Sequence, residues 1–408
     1  MMFDRRLIKN FDFALLLAVL VITAIGVSMI YSSTYRLSGA GSLYYLRQLY
    51  WLGLGLLVLL VVISFDYREL VKLGYLFYLG SLLLLLLPLL RNSGEARRWL
   101  EIGFFRFQPS ELAKITTLLA LTQYVYDRSS PFRTLKDMTI PLTIIIIPVG
   151  LILVEPDLGT TLVFFPMLLS VLYLAGMPLR YLFFFITPLL SVLLSLSLWY
   201  WLPFLAVLLA IIYLNRVNLF EGALVFGVNL ATGIATPILW NFLKDYQKNR
   251  LLVFLNPERD PLGAGYNIIQ SKIAIGSGGM WGKGFLNGTQ TQLNFLPEQH
   301  TDFIFSILGE EGGFFWALVL LGLYSFLCLR ALDIAAQAKD DRGSLLAAGI
   351  TGLFLLHIFI NIGMTIGIMP VTGLPLPFMS YGGTALLSNL ILIGLLENIR
   401  MRRFETRR

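Results

Sequence analysis

The run Leu296-Pro-Glu-Gln-His300-Thr-Asp302-Phe303 places an imidazole, a hydroxyl and two carboxylates at the mouth of a long apolar segment. Asp302 there suits a general base. The following helix N-terminus favours its ionised form, and partial burial raises its pKa toward usefulness. Thr301 or Asp302 acting only as helix N-cap is the plainer role, and the residues alone favour it.

A second cluster is Arg97-Arg98-Trp99 followed by Gln108-Pro-Ser-Glu111-Leu-Ala-Lys114. Ser110 can cap a helix, and Glu111 and Lys114 stand three apart on one helix face. A self-neutralising pair accounts for that spacing. Yet ionisable residues inside a membrane leaflet cost about 3 kcal/mol each and default to a functional reading.

Glu155-Pro-Asp157-Leu-Gly-Thr160 reads as a tight turn whose Asp157 caps the next helix, or as a second carboxylate for a cation or a substrate amide. Six glycines fall between 276 and 288, with Lys283 among them. Backbone amides in such a stretch can form an anion nest, although the pattern is not that of a P-loop. Glu310 and Glu311 need partners inside an apolar run, with Lys114 one candidate. The Pro/Gly-rich run from Pro370 to Gly383 is irregular backbone of the kind that membranes tolerate around a cavity.

These residues must be positioned by apolar helices. Of 408 residues, 57% are apolar and 13% charged, against about 25% charged in soluble domains. That excludes an ordinary soluble enzyme and a disordered chain. One cysteine, Cys328, gives no disulfide framework, and two histidines, His300 and His357, argue against a histidine-built metal site.

Apolar runs near 11–31, 45–64, 73–90, 111–126, 139–154, 160–176, 181–201, 202–214, 218–242, 303–329, 345–367 and 383–399 predict an all-α, polytopic membrane helix bundle of about twelve spans. The chain, 1–408, reads as a single integral membrane domain with one long outer loop, 243–302. With both termini cytoplasmic, 18 of the 31 Lys and Arg residues fall on the cytoplasmic side, which also explains the net charge of +7 without nucleic acid. Ten others lie in two outer segments: Arg91, Arg97, Arg98, Arg106, then Lys244, Lys248, Arg250, Arg259, Lys272 and Lys283. Topology gives those cations no purpose. They suit an anionic ligand, or solvated pairing with Glu95, Glu101, Asp245, Glu258 and Asp260.

Taken together, these stretches resemble the SEDS family of polytopic peptidoglycan glycosyltransferases. Asp260-Pro-Leu-Gly-Ala-Gly-Tyr-Asn-Ile-Ile-Gln-Ser-Lys272, Gly288-Thr-Gln-Thr-Gln-Leu293 and Phe295-Leu-Pro-Glu-Gln-His-Thr-Asp302 look like its RodA branch. The resemblance spans nearly the whole chain. It implies polymerisation of undecaprenyl-linked lipid II into β-1,4 glycan strands at the outer face of the bacterial cytoplasmic membrane, during cell elongation.

It also places the catalytic aspartate on Asp302 and sensitive positions on Arg98, Trp99, Glu111, Lys114 and Asp157. Arg47 matches the arginine before the second span, and Ser380 lies in the terminal Ser-Tyr-Gly-Gly motif. His300 belongs to the motif that carries Asp302. The reaction needs cations for the departing pyrophosphate, and Arg98, Lys272 and Lys283 are candidates.

The resemblance further implies Mg²⁺ or Mn²⁺, with no ligand set legible, and as partners a class B penicillin-binding transpeptidase and other elongation-complex membrane proteins. Family members usually have ten spans, so the excess at 180–217 reads as a two-helix insertion. Two rival functions remain open at this point: a lipid II flippase or transporter, and a non-catalytic scaffold that activates the transpeptidase. Polar clusters gathered on one side favour the enzyme over the flippase.

Overall fold

In the computed structural model the described residues are 9–36, 41, 43–90, 98–102, 105–128, 130–155, 157–242, 248, 253, 257–261, 263 and 265–404. Arg91, Glu95, Arg97, Lys244, Asp245 and Arg250 lie outside them.

The apolar runs form helices because lipid leaves backbone amides and carbonyls no partner except one another. In chain order they are α1 (Phe13–Thr34), α2 (Tyr44–Ser64), the short α3 (Tyr67–Lys72), α4 (Gly74–Leu90), α5 (Pro109–Asp127), α6 (Thr139–Val154), α7 (Leu158–Leu174), α8 (Leu179–Leu194), α9 (Leu198–Leu214) and α10 (Leu219–Phe242). Then follow α11 (Tyr266–Ser277), α12 (Thr289–Gln292), α13 (Ile304–Ala336), α14 (Asp341–Thr365) and α15 (Gly383–Met401). Seven elements are long and apolar enough to cross a membrane by length and composition, and α4, α7, α8 and α9 are shorter apolar helices.

Each of the twelve apolar runs has its helix. One boundary differs: the run expected over 181–201 ends at Leu194, and the next helix begins at Leu198. The Ser195 and Ser197 hydroxyls flank the break, and the amides of Ser195 and Ser197 close it onto Ser191 and Leu194. The loop at 243–302 is structured in part, since it carries α11 and α12. A small antiparallel pairing of Leu100–Ile102 with Phe105–Phe107 follows Arg98 and Trp99 and was not expected in an all-α chain.

The middle of the bundle is α5, the least apolar of the long helices. Ser110, Glu111, Lys114, Thr116, Thr117, Thr122 and Gln123 are all buried on it. A helix polar on every face is stable here because α4, α6, α7, α14 and α15 pack around it. Lipid-facing positions elsewhere carry Leu, Val and Phe instead, such as Leu57, Leu83 and Phe314.

Helices α8 and α9 pack on each other and on α10, where a polar knot joins them. Asn229 Nδ2 donates to Thr187 Oγ1, Ser191 Oγ donates to the Asn229 carbonyl, and Trp201 Nε1 donates to Ser191 Oγ.

Charged residues collect at the two ends of the bundle. At one end Asp12 binds Arg330 and Arg400, Arg68 binds Asp340, and Arg128 binds Asp137. The other end holds Arg98, Asp157, Glu298 and Asp302.

Candidate functional site

The turn that carries Asp302 folds around one carbonyl. Glu298, at φ 51°, accepts the amides of Thr301, Asp302 and Phe303 on its backbone oxygen. Thr301 Oγ1 adds a bond to the Glu298 carboxylate at 3.1 Å. The helix that follows starts at Ile304 with Phe303 as N-cap and no side-chain capping bond. The capping role expected for Thr301 or Asp302 is therefore not what the structure shows: the tight turn takes up the preceding amides. Among the described residues the Asp302 carboxylate has no hydrogen-bond partner in α13, and it is left half-buried beside Gly373. Burial, and then the charges of Glu298 and Asp157, push its pKa from 3.8 up to about 6.

The Pro370–Gly383 segment walls this carboxylate. A Cβ on Gly373, at φ +75°, would stand 3.4 Å from Asp302 Oδ2. Ser380 ties the segment down: its Oγ donates to the Thr301 carbonyl at 2.6 Å and accepts the Leu376 amide at 2.8 Å. Gln48 completes the tie, donating to the Ser380 carbonyl and accepting the Gly382 amide. Ser380 is buried, and its hydroxyl is engaged by the Thr301 carbonyl and the Leu376 amide.

His300 stacks on Tyr44 with ring centroids 4.9 Å apart, and its carbonyl accepts the Tyr381 amide at 2.9 Å. Arg47 lies over the other aromatic of this group, 5.8 Å from the Tyr44 centroid. Burial lowers the His300 pKa, which keeps that ring neutral.

On the opposite wall Asp157 caps α7, accepting the Thr160 amide and hydroxyl, and takes a bond from Gln108 Nε2 at 3.2 Å. Arg98 is held by the Glu155 carbonyl at 3.0 Å and reaches Asp157 at 3.9 Å, leaving its side chain 40% exposed. Trp99 beside it is 38% exposed. Glu155 itself is buried with neither carboxylate oxygen hydrogen-bonded among the described residues, and burial next to Asp157 pushes its pKa up to about 7.

Beneath this vestibule Glu111 and Lys114 form the expected pair at 2.8 Å. Ser388 Oγ donates to Glu111 at 2.7 Å, and Lys114 Nζ lies 3.3 Å from His357 Nε2. The other ring nitrogen of His357 meets the Pro375 carbonyl, linking the buried pair to the segment that walls Asp302.

The glycine-rich stretch serves a different end. Its amides are spent on α13, which breaks at Gly313 (φ 72°, ψ −169°). Lys283 and Gly284 donate to the carbonyls of Glu310 and Glu311, while Phe314 and Phe315 donate back to Gly279 and Met280. The Lys283 and Gly284 amides are therefore engaged with α13 rather than turned toward a ligand. Side chains at Gly278 or Gly282 would collide with the carbonyls of Gly309 and Glu311, which is why glycine stands there.

Lys114 is not the partner of the paired carboxylates. Glu310 takes Lys283 Nζ at 2.8 Å together with the amides of Gln290 and Thr291, and Glu311 takes Ser32 Oγ at 2.6 Å. Lys283 thus latches the loop. Lys272 is exposed, and its chain lies across Gly367.

The structure brings Asp302, His300, Arg47, Ser380, Asp157 and Arg98 to one end and leaves Lys283 apart. Three contributors were missed from the sequence. Glu155 was read as part of a turn, Asn361 was hidden in the apolar run 345–367, and His357 was weighed only as a metal ligand. A lone amide in an otherwise apolar span was the available signal for Asn361. For a resident Mg²⁺ or Mn²⁺ the fit is poor: among the described residues no group of three or more His, Cys, Asp or Glu side chains is placed to hold a metal ion.

The sequence pattern of the FtsW, RodA and SpoVE family of cell cycle proteins matches residues 13–221 and 201–405. The chain belongs to this family. Similar curated relatives include a peptidoglycan glycosyltransferase RodA of Treponema pallidum, 40% identical over 97% of this chain and 98% of the relative. Another is the peptidoglycan glycosyltransferase MrdB of Escherichia coli K12, 39% identical over 88% and 85%.

Among solved structures, a chain described under structural coordination of polymerization and crosslinking by a peptidoglycan synthase complex superimposes with TM-score 0.74 at 31% identity, covering 97% of this chain and 99% of that one. The rod shape determining protein RodA of Thermus thermophilus gives 0.64 at 28%, covering 97% and 98%. The helical membrane bundle expected from the sequence is thus the architecture of this FtsW, RodA and SpoVE family member.

Proposed function

We propose that this chain is a peptidoglycan glycosyltransferase of the elongation type that polymerises lipid II, with Asp302 as general base. The observation that carries the reading is the Asp302 carboxylate itself. It does not cap its helix, it stands in a polar vestibule with Arg98, and its pKa is raised to about 6. A base with that pKa is ionised at neutral pH and still accepts a proton well.

In the reaction Asp302 takes the proton of the acceptor 4-hydroxyl. The oxygen attacks the anomeric carbon of the donor from the face opposite its pyrophosphate. That bond breaks, and the α-linked donor becomes a β-1,4 link. Arg98 and Lys272 face the departing negative charge. Arg47 and His300 line the acceptor side, Trp99 offers a ring face to sugar, and Asp157 holds Arg98 in place. Mg²⁺ or Mn²⁺ belongs to the substrate as the counterion of its pyrophosphate, because among the described residues no group of three or more His, Cys, Asp or Glu side chains is placed to hold it.

The end rich in Arg68, Arg128, Arg330 and Arg400 faces the cytoplasm by the positive-inside rule, with both termini there and the Asp302 end outside. The membrane is the bacterial cytoplasmic one, where lipid II is delivered. Helices α8 and α9 are an addition to a ten-span core, which fits their packing on each other and on α10. A class B penicillin-binding transpeptidase is the partner, within a set of elongation membrane proteins.

The experiment is incubation of the purified chain, without transpeptidase, with lipid II. Glycan strands support the enzyme, and their absence alongside lipid II movement across vesicles would support a flippase instead. Glycan made only after transpeptidase is added, by that partner alone, would make the chain a scaffold.

A further inference from the structure

Asn361 sits on α14, one turn beyond His357, with no exposed surface. Its carboxamide nitrogen donates to two backbone carbonyls from different segments: Asp302 at 3.0 Å and Leu374 at 2.7 Å. An amide –NH₂ has two hydrogens, so one side chain satisfies both carbonyls. A buried amide also has few alternative partners, and the bond to Leu374 is made away from water, while that to Asp302 is part-buried. Leu374 adjoins Gly373, where an added Cβ would meet Asp302 Oδ2 at 3.4 Å. One carboxamide therefore fixes the backbone of the acid and the wall that confines it. His357 makes a second rung, with its ring nitrogen 3.3 Å from the Pro375 carbonyl.

We propose that Asn361 is a positioning residue that sets the distance between the Asp302 carboxylate and the Gly373 wall, and so its aim at the acceptor hydroxyl. This inference rests on Asp302 being the base. The groups that face the carboxylate are Glu298 on its own turn and Asp157 at the start of α7, with Arg98 behind Asp157. Neither acid touches Asn361, so substitution of Asn361 changes the confinement of Asp302 without changing its charged neighbours.

The test is lipid II polymerisation by Asn361→Leu, near in size and unable to donate, and by Asn361→Ser, which donates to one carbonyl only. Misplacement of a reacting group by about 1 Å costs roughly 10²-fold. The expected result is a kcat loss of about tenfold to 10²-fold for Leu and a smaller one for Ser, with KM for lipid II unchanged within about twofold.

The acid limb of the pH–rate profile should also move to lower pH, because a loosened wall admits water to the carboxylate. Damage confined to folding would lower the active fraction and leave that limb in place. Folded Asn361→Leu with wild-type kcat and an unmoved limb overturns the inference. If the Leu protein does not accumulate, the Ser protein carries the same two readouts. Failure of the base itself is distinguished by Asp302→Asn: if that variant stays active, the reading beneath the inference has failed, whereas an inactive Asp302→Asn with normal Asn361 variants removes the positioning role alone.

Discussion

The Asp302 carboxylate lies beside Gly373, where an added Cβ would meet its Oδ2 at 3.4 Å, an ordinary contact distance. Glycine stands there because the backbone φ of +75° favours it. The acid owes its raised pKa to burial and then to the neighbouring carboxylates of Glu298 and Asp157.

Activity should follow that pKa. The base works only when ionised, so polymerisation should rise with pH through a midpoint near 6 and fall away below it. Stability runs the other way. The folded state holds the proton more tightly than the unfolded chain, so the contribution of Asp302 is present at low pH and lost as pH rises through about 6. Asp302→Asn should therefore unfold at the same or a higher temperature than wild type at pH 8. A lower one would mean that the carboxylate makes a stabilising bond.

Arg98→Ala should lower polymerisation with little change in thermal stability. Its side chain is 40% exposed, its contacts include the Glu155 carbonyl and the Asp157 carboxylate, and such exposed pairs add about 0–1 kcal/mol. A correctly inserted Arg98→Ala protein with normal glycan yield would remove Arg98 from the pyrophosphate site.

The Glu111–Lys114 pair should behave as a coupled unit. Lys114→Met leaves a buried carboxylate with Ser388 as its remaining partner and should cost about 3–5 kcal/mol. Adding Glu111→Leu should recover part of that loss. Strict additivity in a double-mutant cycle of thermal stability would contradict the pairing. Because His357 connects the pair to Pro375, the single variants should also slow polymerisation.

Gly282→Ala tests the stitch between the glycine-rich loop and the break in α13. At φ +76°, with its added carbon meeting the Glu311 carbonyl, alanine should destabilise the protein by about 1–3 kcal/mol. An unchanged unfolding temperature would show that the loop is not locked to Gly313.

The helices were legible because lipid demands long apolar runs, and those runs have sharp polar edges. The Ser195–Ser197 break was harder to place, since serine closes a helix or continues it depending on its neighbours. At the site, the Glu111–Lys114 spacing declared its ion pair, because both partners lie on one helix. Partners far apart in sequence did not declare themselves. Lys283 with Glu310, His357 with Pro375 and Asn361 with Asp302 are all set by how the loops fold back on the bundle. The capping reading of Asp302 failed for a local reason: a tight turn at Glu298 takes up the amides of Thr301, Asp302 and Phe303, and the helix starts one residue later with Phe303 as its N-cap.

The central claim is that Asp302 works as a base, and one substitution addresses it. Asn keeps the shape of Asp302 but cannot accept the acceptor's proton. Lipid II polymerisation by detergent-purified Asp302→Asn, normalised to folded protein, should fall by roughly 10²-fold or more. Polymerisation at near wild-type rate by that variant would contradict the account.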